Sequence, residues 1–280
     1  MTDIAPQLSW EEAVLSLNGR PELGEFVRAC FYDDPLIEAA RRYHASSEWA
    51  AIRPLLPPVP GRALDIGAGR GISSFALASD GWQVSALEPD PSDRVGAGAI
   101  RALAAEAHLP IEVVQEWGES LPFADASFDL VSCRAVLHHA RDLGDLCKEI
   151  ARVLKPGGRF IGVREHVITD AGELPAFLAM HPLHRLYGGE HAYTRAEYRG
   201  AIEGAGLAIA HEFNPFESDI NLYPNSRAKM KRAVARKFGA TALAPLVPGW
   251  LLTLRGARNR TPGRLHSFVA DKPEGAAHGD

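Results

Sequence analysis

Residues 63–71 read Ala63-Leu64-Asp65-Ile66-Gly67-Ala68-Gly69-Arg70-Gly71, a short apolar run that passes directly into a glycine-rich turn. The run is typical of a buried parallel strand, and residues 72–78 after the turn favour a helix. A strand, a glycine turn and a helix let the backbone approach a ligand closely and aim helix N–H groups at it. The stretch therefore predicts an α/β fold with a ligand-binding turn after its first strand.

An acid follows this turn at a spacing that indicates nucleoside binding. Glu88 stands seventeen residues after Gly71 and closes the next apolar run, residues 82–87. A carboxylate in this position can accept hydrogen bonds from both hydroxyls of a ribose. The glycines alone are a weak signal, because a tight strand-to-helix turn needs them without any ligand, and their GxGxG spacing differs from the GxGxxG of dinucleotide-binding proteins. Together with Glu88 they favour a nucleoside.

Five stretches together resemble the class I S-adenosylmethionine-dependent methyltransferases, over about residues 60–165. They are residues 63–71, the acidic turn Glu88-Pro89-Asp90, residues 118–123 with 127–131, residues 136–139, and residues 154–160. The resemblance implies S-adenosyl-L-methionine as the cofactor. It also implies a doubly wound, mostly parallel seven-stranded sheet, the Rossmann-like methyltransferase fold, whose last two strands form an antiparallel pair.

The resemblance further implies which residues bind the cofactor. Asp65 would bind the ammonium of the methionine moiety, directly or through water, although the same carboxylate could cap the glycine turn instead. Glu88 would hold the ribose, and Pro89 would shape the turn at the adenine edge. The predicted set is Asp65, Gly67, Ala68, Gly69, Glu88, Pro89, Trp117, Gly118, Glu119 and Arg134.

One position departs from the family pattern. Trp117 stands where the family often has an acid that reaches the adenine amino group. The indole either stacks on the adenine or belongs to the core, and Glu119 or the backbone of Gly118 then serves the adenine edge. Arg134, at the end of the fourth predicted strand, is expected to border the cofactor or the substrate.

Histidines near the ends of two predicted strands are the candidates for catalysis. Transfer of a methyl group from a sulfonium needs in-line geometry and a nucleophile that has lost its proton, and histidine titrates near neutral pH. His138 and His139 follow the fourth strand and His166 follows the fifth, on the side where ligands bind in parallel sheets. We predict His139 and His166 as proton acceptors, while a structural role stays open for each.

Three further histidines raise the question of a metal site. No carboxylate or cysteine stands with His181, His184 or His191 at helical or turn spacing. No ligand set is fixed in this way, so no metal is predicted. The stretch 188–193, which contains two glycines, is expected to form a loop that faces the substrate.

Strands and helices alternate along the chain, which predicts βαβ units and a parallel sheet covered on both faces. We expect residues 1–60 to form a helical N-terminal cover, and residues 61–213 with 265–272 to form the cofactor-binding core. Residues 214–264 are expected to form a basic helical insertion, or cap, and residues 273–280 a disordered tail. The predicted strands are 62–67, 82–88, 111–115, 127–133, 159–165, 207–213 and 265–270, and the predicted core helices are 71–80, 94–107, 142–154 and 194–204.

The composition is that of an ordinary soluble globular protein, with 280 residues of which 46% are hydrophobic and 23% charged. The three cysteines form no CxxC pair, which argues against a disulfide framework. The start of the chain lacks a secretory signal, and no apolar run reaches the length of a membrane span. We therefore expect a cytoplasmic protein.

Charge is distributed unevenly along the chain. Residues 227–264 contain ten Lys and Arg and no Asp or Glu, whereas the whole chain has a net charge of −5. This segment indicates an anionic partner, which is either a membrane surface at the inner face or a phosphate on the substrate, unless it is simply a solvated surface. Nucleic acid is not expected, because aromatic residues that would stack on bases are nearly absent here.

These observations predict an enzyme that moves a methyl group from S-adenosylmethionine to a small-molecule acceptor. The acceptor atom is expected to be a hydroxyl oxygen of a sugar- or lipid-like molecule. Two alternatives stay open. One is carbon methylation of a quinone or isoprenoid, and the other is a non-catalytic module that binds S-adenosylmethionine or S-adenosylhomocysteine.

Overall fold

A computed structural model describes residues 8–274, and eight strands within this range form one sheet. The strands are β1 (Arg62–Ile66), β2 (Gln83–Leu87), β3 (Ile111–Val114), β4 (Phe128–Arg134), β5 (Leu154–Ile168), β6 (Tyr193–Thr194), β7 (Ala208–Phe213) and β8 (Arg264–Asp271). Their order is β3-β2-β1-β4-β5-β8-β7, and the short β6 pairs with β5.

Strands β1 to β5 run parallel, and β8 lies antiparallel between β5 and β7. The prediction of a mostly parallel doubly wound sheet with an antiparallel last pair is therefore confirmed, and all seven predicted strands are present. The two-residue strand β6 is an addition to them. Because β1 lies between β2 and β4, the order of the strands reverses at β1, where such sheets form their ligand-binding crevice.

The fifth strand is longer than its sequence pattern indicates. It extends to Ile168, because its second half pairs with β8 through Glu165 with His266, His166 with Leu265 and Val167 with Arg264. The prediction that His166 follows this strand is therefore wrong. His166 lies within β5.

Helices cover both faces of the sheet, as the alternating pattern predicts. The N-terminal segment contains α1 (Trp10–Asn18), α2 (Gly24–Ala29), α3 (Leu36–His44) and α4 (Ser47–Ile52). The sheet is flanked by α5 (Ile72–Ser79), α6 (Ala97–Ala107), α7 (Leu143–Val153) and α10 (Arg195–Gly204), with α8 (Leu174–Met180) and α9 (His184–Tyr187) between β5 and β6. Residues 1–7 of the predicted cover and 275–280 of the predicted tail lie outside the described residues.

The predicted basic insertion is helical. It contains α11 (Arg227–Lys237) and α12 (Gly249–Ala257), joined by a turn of 3₁₀ helix over residues 241–246. Ser226 caps α11 by accepting a hydrogen bond from the Lys229 amide. No helix within residues 8–274 is long and apolar enough to cross a membrane. The division of the chain into cover, core and cap stays a prediction.

Candidate functional site

A cavity of about 900 Å³, which we call the chamber, opens beside the carboxyl ends of β1, β2 and β4. Its wall includes the glycine turn, the acidic turn at Glu88, and the segment that follows β4. The N-terminal helices and the loop before β6 close the opposite side, through residues such as Phe26 and Glu190. Every residue in the predicted cofactor set lines this one chamber.

Gly67 and Gly69 of the glycine turn differ in their surroundings, since Gly67 packs against a side chain and Gly69 faces open space. Gly67 and Gly69 have φ of +63° and +54°, a left-handed backbone that favours glycine. A Cβ atom on Gly67 would lie 2.7 Å from a methyl of Val136. A Cβ atom on Gly69 would meet nothing within 4 Å. The backbone at Gly69 is therefore bare toward the chamber, as close approach of a nucleoside cofactor requires.

Glu88 lies at the end of this turn and is only 8% exposed. Its Oε2 atom accepts a hydrogen bond from the Gly69 amide at 2.7 Å, and Oε1 accepts one from the Asp90 amide at 3.0 Å. Burial raises the pKa of this carboxyl group, although both backbone hydrogen bonds oppose the shift. Each oxygen keeps a further lone pair, so the held carboxylate can accept the two hydroxyl donors of a ribose.

Asp65 is almost fully buried at the end of β1. Its two oxygens accept hydrogen bonds from the Ser74 hydroxyl at 2.6 Å and the Ser132 hydroxyl at 3.2 Å. Both donors are hydroxyls of residues outside the glycine turn. Burial raises the pKa of Asp65 to about 6, against the effect of these hydrogen bonds. A cation beside Asp65 would favour the ionised form, so the site fits an ammonium ligand.

Trp117 is 53% exposed, so the alternative that places it in the core is wrong. The guanidinium of Arg141 lies 4.4 Å from the centre of its ring. The neighbouring Glu119 accepts a hydrogen bond from the Arg141 amide at 2.8 Å. A Cβ atom on Gly118 would lie 2.9 Å from Leu146, which explains the glycine there by close packing. Stacking of Trp117 on adenine stays a prediction.

Arg134 lines the chamber, but its guanidinium group pairs with Glu48, which does not line the chamber. Its Nε atom lies 2.7 Å from the carboxylate of Glu48, a helix α4 residue with no exposed surface. Burial would lower the pKa of Arg134, but Glu48 outweighs burial and raises it. The guanidinium is thus permanently charged and neutralised by Glu48, which leaves Arg134 as part of the wall.

Four histidines lie near one carboxylate of the chamber wall, that of Glu190, and we call these five residues the histidine cluster. Glu190 belongs to the loop before β6, and its side chain is 3% exposed. His138 Nε2 lies 3.5 Å from its Oε2 atom, and His139 Nε2 lies 3.9 Å from the same atom. His181 Nδ1 lies 3.7 Å from its Oε1 atom. His166 completes the cluster, with its ring centre 4.7 Å from that of His138 and 5.2 Å from that of His181.

Hydrogen bonds on the outer side orient three of these rings. His138 Nδ1 lies 2.7 Å from a carboxylate oxygen of the fully buried Glu165. His139 Nδ1 lies 3.0 Å from the Gly189 carbonyl oxygen, and His166 Nδ1 lies 2.9 Å from the Gly263 carbonyl oxygen. Carbonyl oxygens only accept, so Nδ1 carries the proton in both rings and Nε2 keeps a free lone pair.

Burial and neighbouring charges give the histidines of the cluster different pKa values. Burial would lower the pKa of His138, but Glu165 and Glu190 raise it to about 9. Burial lowers the pKa of His166 to about 3, and the His138 cation adds to the effect. The pKa of His139 is lowered by the same two causes. At neutral pH His138 therefore carries the proton, and the other two rings are neutral.

The structure brings the predicted His139 and His166 together in the chamber. Glu190 and His181 are members that sequence reasoning missed, because they come from an insertion whose path the local pattern does not define. No carboxylate stands at helical or turn spacing from His181 in the sequence. In the folded chain, however, the Glu190 carboxylate lies 3.7 Å from His181 Nδ1. The one local signal was the glycine-containing stretch 188–193, predicted to face the substrate.

Comparison with known proteins gives a consistent result. A family model described as a methyltransferase domain matches residues 64–162. The ubiquinone biosynthesis O-methyltransferase of Methylobacterium nodulans (strain LMG 21967 / CNCM I-2342 / ORS 2060) is 34% identical over 160 residues. The protein of that name from Methylobacterium sp. (strain 4-46) is 32% identical over 180 residues. The matches cover 54% and 62% of this chain, and 63% and 68% of the two relatives.

Two solved structures share the fold at low identity. Geranyl diphosphate C-methyltransferase from Streptomyces coelicolor A3(2) matches with a TM-score of 0.60 and 17% identity, covering 96% of this chain and 90% of that one. The [4+2]-cyclase SpnF matches with a TM-score of 0.57 and 20% identity, covering 85% and 82%. Since one is named as a methyltransferase and the other as a cyclase, this likeness shows the fold alone.

Proposed function

Because the chain belongs to the class I S-adenosylmethionine-dependent methyltransferases, whose cofactor is S-adenosyl-L-methionine, we propose that it methylates a hydroxyl oxygen of a small acceptor with an apolar body. The observation that carries the choice of acceptor is one part of the chamber lining. This part comes from the N-terminal segment and from residues 183–187, and its side chains pack in one aromatic and aliphatic cluster: Trp10, Phe26, Tyr32, Leu183 and Tyr187. Such a wall suits a lipid-like or aromatic acceptor better than a sugar.

The cofactor supplies a methyl group that is already activated as a sulfonium, so the chain has to bind, orient and manage one proton. Asp65 and Glu88 are proposed to hold the methionine ammonium and the ribose at the cofactor end. The histidine cluster is proposed to hold the acceptor hydroxyl at the other end. Glu190 then stabilises positive charge on whichever ring accepts the proton.

His139 is the proposed proton acceptor. Its Nδ1–H is held by the Gly189 carbonyl, which leaves the Nε2 lone pair available beside Glu190. Nε2 would accept the hydroxyl proton, and the acceptor oxygen would then bond to the methyl carbon as the carbon–sulfur bond breaks and S-adenosylhomocysteine leaves. His166 was an equal candidate from sequence, but a ring with a pKa of about 3 is a poor proton acceptor at neutral pH.

The test uses methyl-¹³C S-adenosylmethionine and alkyl-substituted catechols as probe acceptors. The ¹³C shift of the product identifies the methylated atom, and an aryl methyl ether supports the proposal. His139→Ala should lower turnover by about 10²–10⁴. His211→Ala, an exposed histidine on β7, is the matched control. A carbon-bound methyl would support the quinone or isoprenoid alternative, and full turnover in His139→Ala would exclude that residue as the base.

A second proposal concerns residues 227–264, which we call the basic segment. We propose that it docks on an anionic membrane surface, at the inner face of the membrane. Large apolar side chains are exposed on this segment beside its ten cations: Phe238 is 81% exposed, Leu246 73% and Trp250 63%. Exposed aromatic and leucine side chains among cations are typical of interfacial segments. A phosphate-bearing acceptor is the competing explanation for the charges alone.

The position of the basic segment supports this choice. Gly263 lies at its end and Leu265 directly follows it, and both line the chamber. A protein docked by this segment would thus hold the chamber near the bilayer, from which an apolar acceptor can enter. The cations of the basic segment and the apolar character of the acceptor are then both explained by work at a membrane surface.

A further inference from the structure

We propose that His166, His181 and Glu190 form a binding site for one divalent first-row transition-metal ion inside the chamber. Each of these residues offers one ligand atom, and the three atoms lie within 4.8 Å of one another. Two imidazoles and a carboxylate form the protein ligand set of many catalytic zinc and non-haem iron sites.

The two rings present their nitrogens in the form that a metal needs. The Gly263 carbonyl accepts from His166 Nδ1 at 2.9 Å, so Nε2 keeps its lone pair. An outer hydrogen bond to a backbone carbonyl is the usual device that orients metal-bound histidine. The inner nitrogen of His166 is therefore a prepared ligand.

His181 provides the second, independent observation. Its Nδ1 atom is buried and has no hydrogen-bond partner within the part of the chain that the structure describes. The Nδ1 atoms of His184, His191 and His266 are also buried without a partner among the described residues, but of these four residues His181 is the one that lines the chamber and lies beside Glu190. A metal ion bound between His181 and Glu190 would satisfy the His181 nitrogen.

The spacing fits an ion better than a direct hydrogen bond. His181 Nδ1 and Glu190 Oε1 are 3.7 Å apart, which is too long for a hydrogen bond. Ligand atoms at about 2.0–2.2 Å from one tetrahedral ion are about 3.3–3.6 Å apart. A small inward movement of either side chain would therefore complete the coordination. Magnesium prefers oxygen ligands, so zinc is the better probe.

Glu190 also belongs to a competing triad with His138 and His139. Two observations favour the His166 side. The first is burial, because the His181 side chain is 15% exposed and the His139 side chain is 32% exposed. The second is that His181 Nδ1 has no hydrogen-bond partner within residues 8–274, whereas Nδ1 of His138 and Nδ1 of His139 each have one. An ion on that side would also polarise an acceptor hydroxyl, a consequence that rests on the proposed function, whereas metal binding itself does not.

The test is calorimetric titration of the metal-free full chain with Zn²⁺, repeated with Mg²⁺. We expect one Zn²⁺ per chain in the wild type and in His184→Ala, a control from the same insertion that does not line the chamber. His181→Ala and the isosteric Glu190→Gln should each weaken binding more than about 100-fold, beyond the usual effect of outer-shell changes. Thermal melts of the metal-free variants check that each is folded.

Three results would overturn the proposal: no stoichiometric Zn²⁺ binding, binding that both variants retain, or binding that His139→Ala abolishes while His181→Ala does not. Titration with Co²⁺ adds a spectroscopic signature, because a bound tetrahedral site gives visible absorption that the two ligand variants should lose. Absence of zinc binding with intact methyl transfer would overturn the metal site alone. Zinc binding without methyl transfer would contradict only the proposed function.

Discussion

The guanidinium of Arg134 lies 2.7 Å from the carboxylate of Glu48, and the Glu48 side chain has no exposed surface. Arg134 ends strand β4 in the chamber wall, whereas Glu48 belongs to helix α4 of the N-terminal segment. Arg164 of β5 lies 3.5 Å from the same carboxylate. A buried ion pair thus attaches the helical cover to β4, which precedes His138 and His139, and to β5, which contains His166.

Removing Glu48 should destabilise the protein strongly, because Arg134 and Arg164 would stay buried without their counter-charge. We expect Glu48→Ala to lower the free energy of unfolding by about 3–5 kcal/mol, measured by urea denaturation. Glu38→Ala is the matched control, since Glu38 pairs with Arg41 on the exposed side of α3. That change should cost about 0–1 kcal/mol. Equal losses in both variants would show that the buried pair does not fasten the cover.

Glu88 should contribute directly to cofactor binding. If its carboxylate holds the ribose hydroxyls, Glu88→Ala should weaken S-adenosylhomocysteine binding by about 1.5–3 kcal/mol, or about 10- to 150-fold, in a calorimetric titration. The exposed Glu106→Ala on α6 serves as the control.

The 2′-deoxyribose analogue of S-adenosylhomocysteine separates this contact from a general loss of structure at the turn. The wild type should bind the deoxy ligand more weakly than the parent, and Glu88→Ala should bind both equally. A folded Glu88→Ala protein that still discriminates between them would assign the ribose contact to another residue.

Asp65 should make cofactor binding depend on pH. With a pKa of about 6, Asp65 holds a proton in the free protein below that pH, and this proton must leave before the carboxylate can pair with an ammonium. Affinity for S-adenosylhomocysteine should therefore be constant well above pH 6 and fall by up to about tenfold per unit below it. Asp65→Asn should bind more weakly at pH 7.5 and lose this part of the pH dependence. Equal wild-type affinity at pH 5 and pH 7.5 would argue against the ammonium contact.

The basic segment should bind anionic vesicles in a manner that salt weakens but does not abolish. Each cation near the surface contributes about 1 kcal/mol, screened over a Debye length of about 8 Å, while inserted Trp250 is not screened. Flotation with phosphatidylserine vesicles measures the binding, and neutral vesicles should bind poorly. The variant reverses four cations to Glu: Lys231, Arg232, Arg236 and Lys237.

A charge-matched control distinguishes the effect of the basic segment from the effect of the protein's net charge. It reverses four cations outside the basic segment to Glu: Arg20, Arg41, Arg101 and Lys148. The control should bind as the wild type does, and the first variant should lose the salt-sensitive part. No wild-type binding at low salt would exclude the membrane. A raised KM with unchanged cofactor affinity in the first variant would then indicate a phosphate-bearing acceptor.

The sequence predicted those parts of the site that are coded locally. A strand, its glycine turn and the acid after the next strand are adjacent along the chain, so the places of Asp65, Gly69 and Glu88 followed from spacing. Trp117 was ambiguous, because burial depends on packing that no local pattern specifies. Its 53% exposure settles that question.

The histidine cluster could not be predicted from local sequence patterns, because it depends on tertiary contacts. His166 was placed after β5, but the end of that strand is set by pairing with β8, about 100 residues away in the sequence. Glu190 and His181 enter the chamber because the insertion between β5 and β6 folds over it. Their proximity is a tertiary property, and only the structure reveals that one carboxylate faces three imidazole nitrogens.

The proposed site requires the cofactor methyl group to emerge beside the histidine cluster, and a nuclear Overhauser measurement on bound methyl-¹³C S-adenosylmethionine can detect it there. The protein is perdeuterated, with protonated histidine rings and protonated leucine and isoleucine methyls. We expect contacts from the cofactor methyl to the ring protons of His139, lost in His139→Ala. Contacts from the ribose to Leu87 verify that the cofactor occupies the glycine turn. Ribose contacts without any contact between the cofactor methyl and a histidine of the cluster would contradict this position of the methyl group.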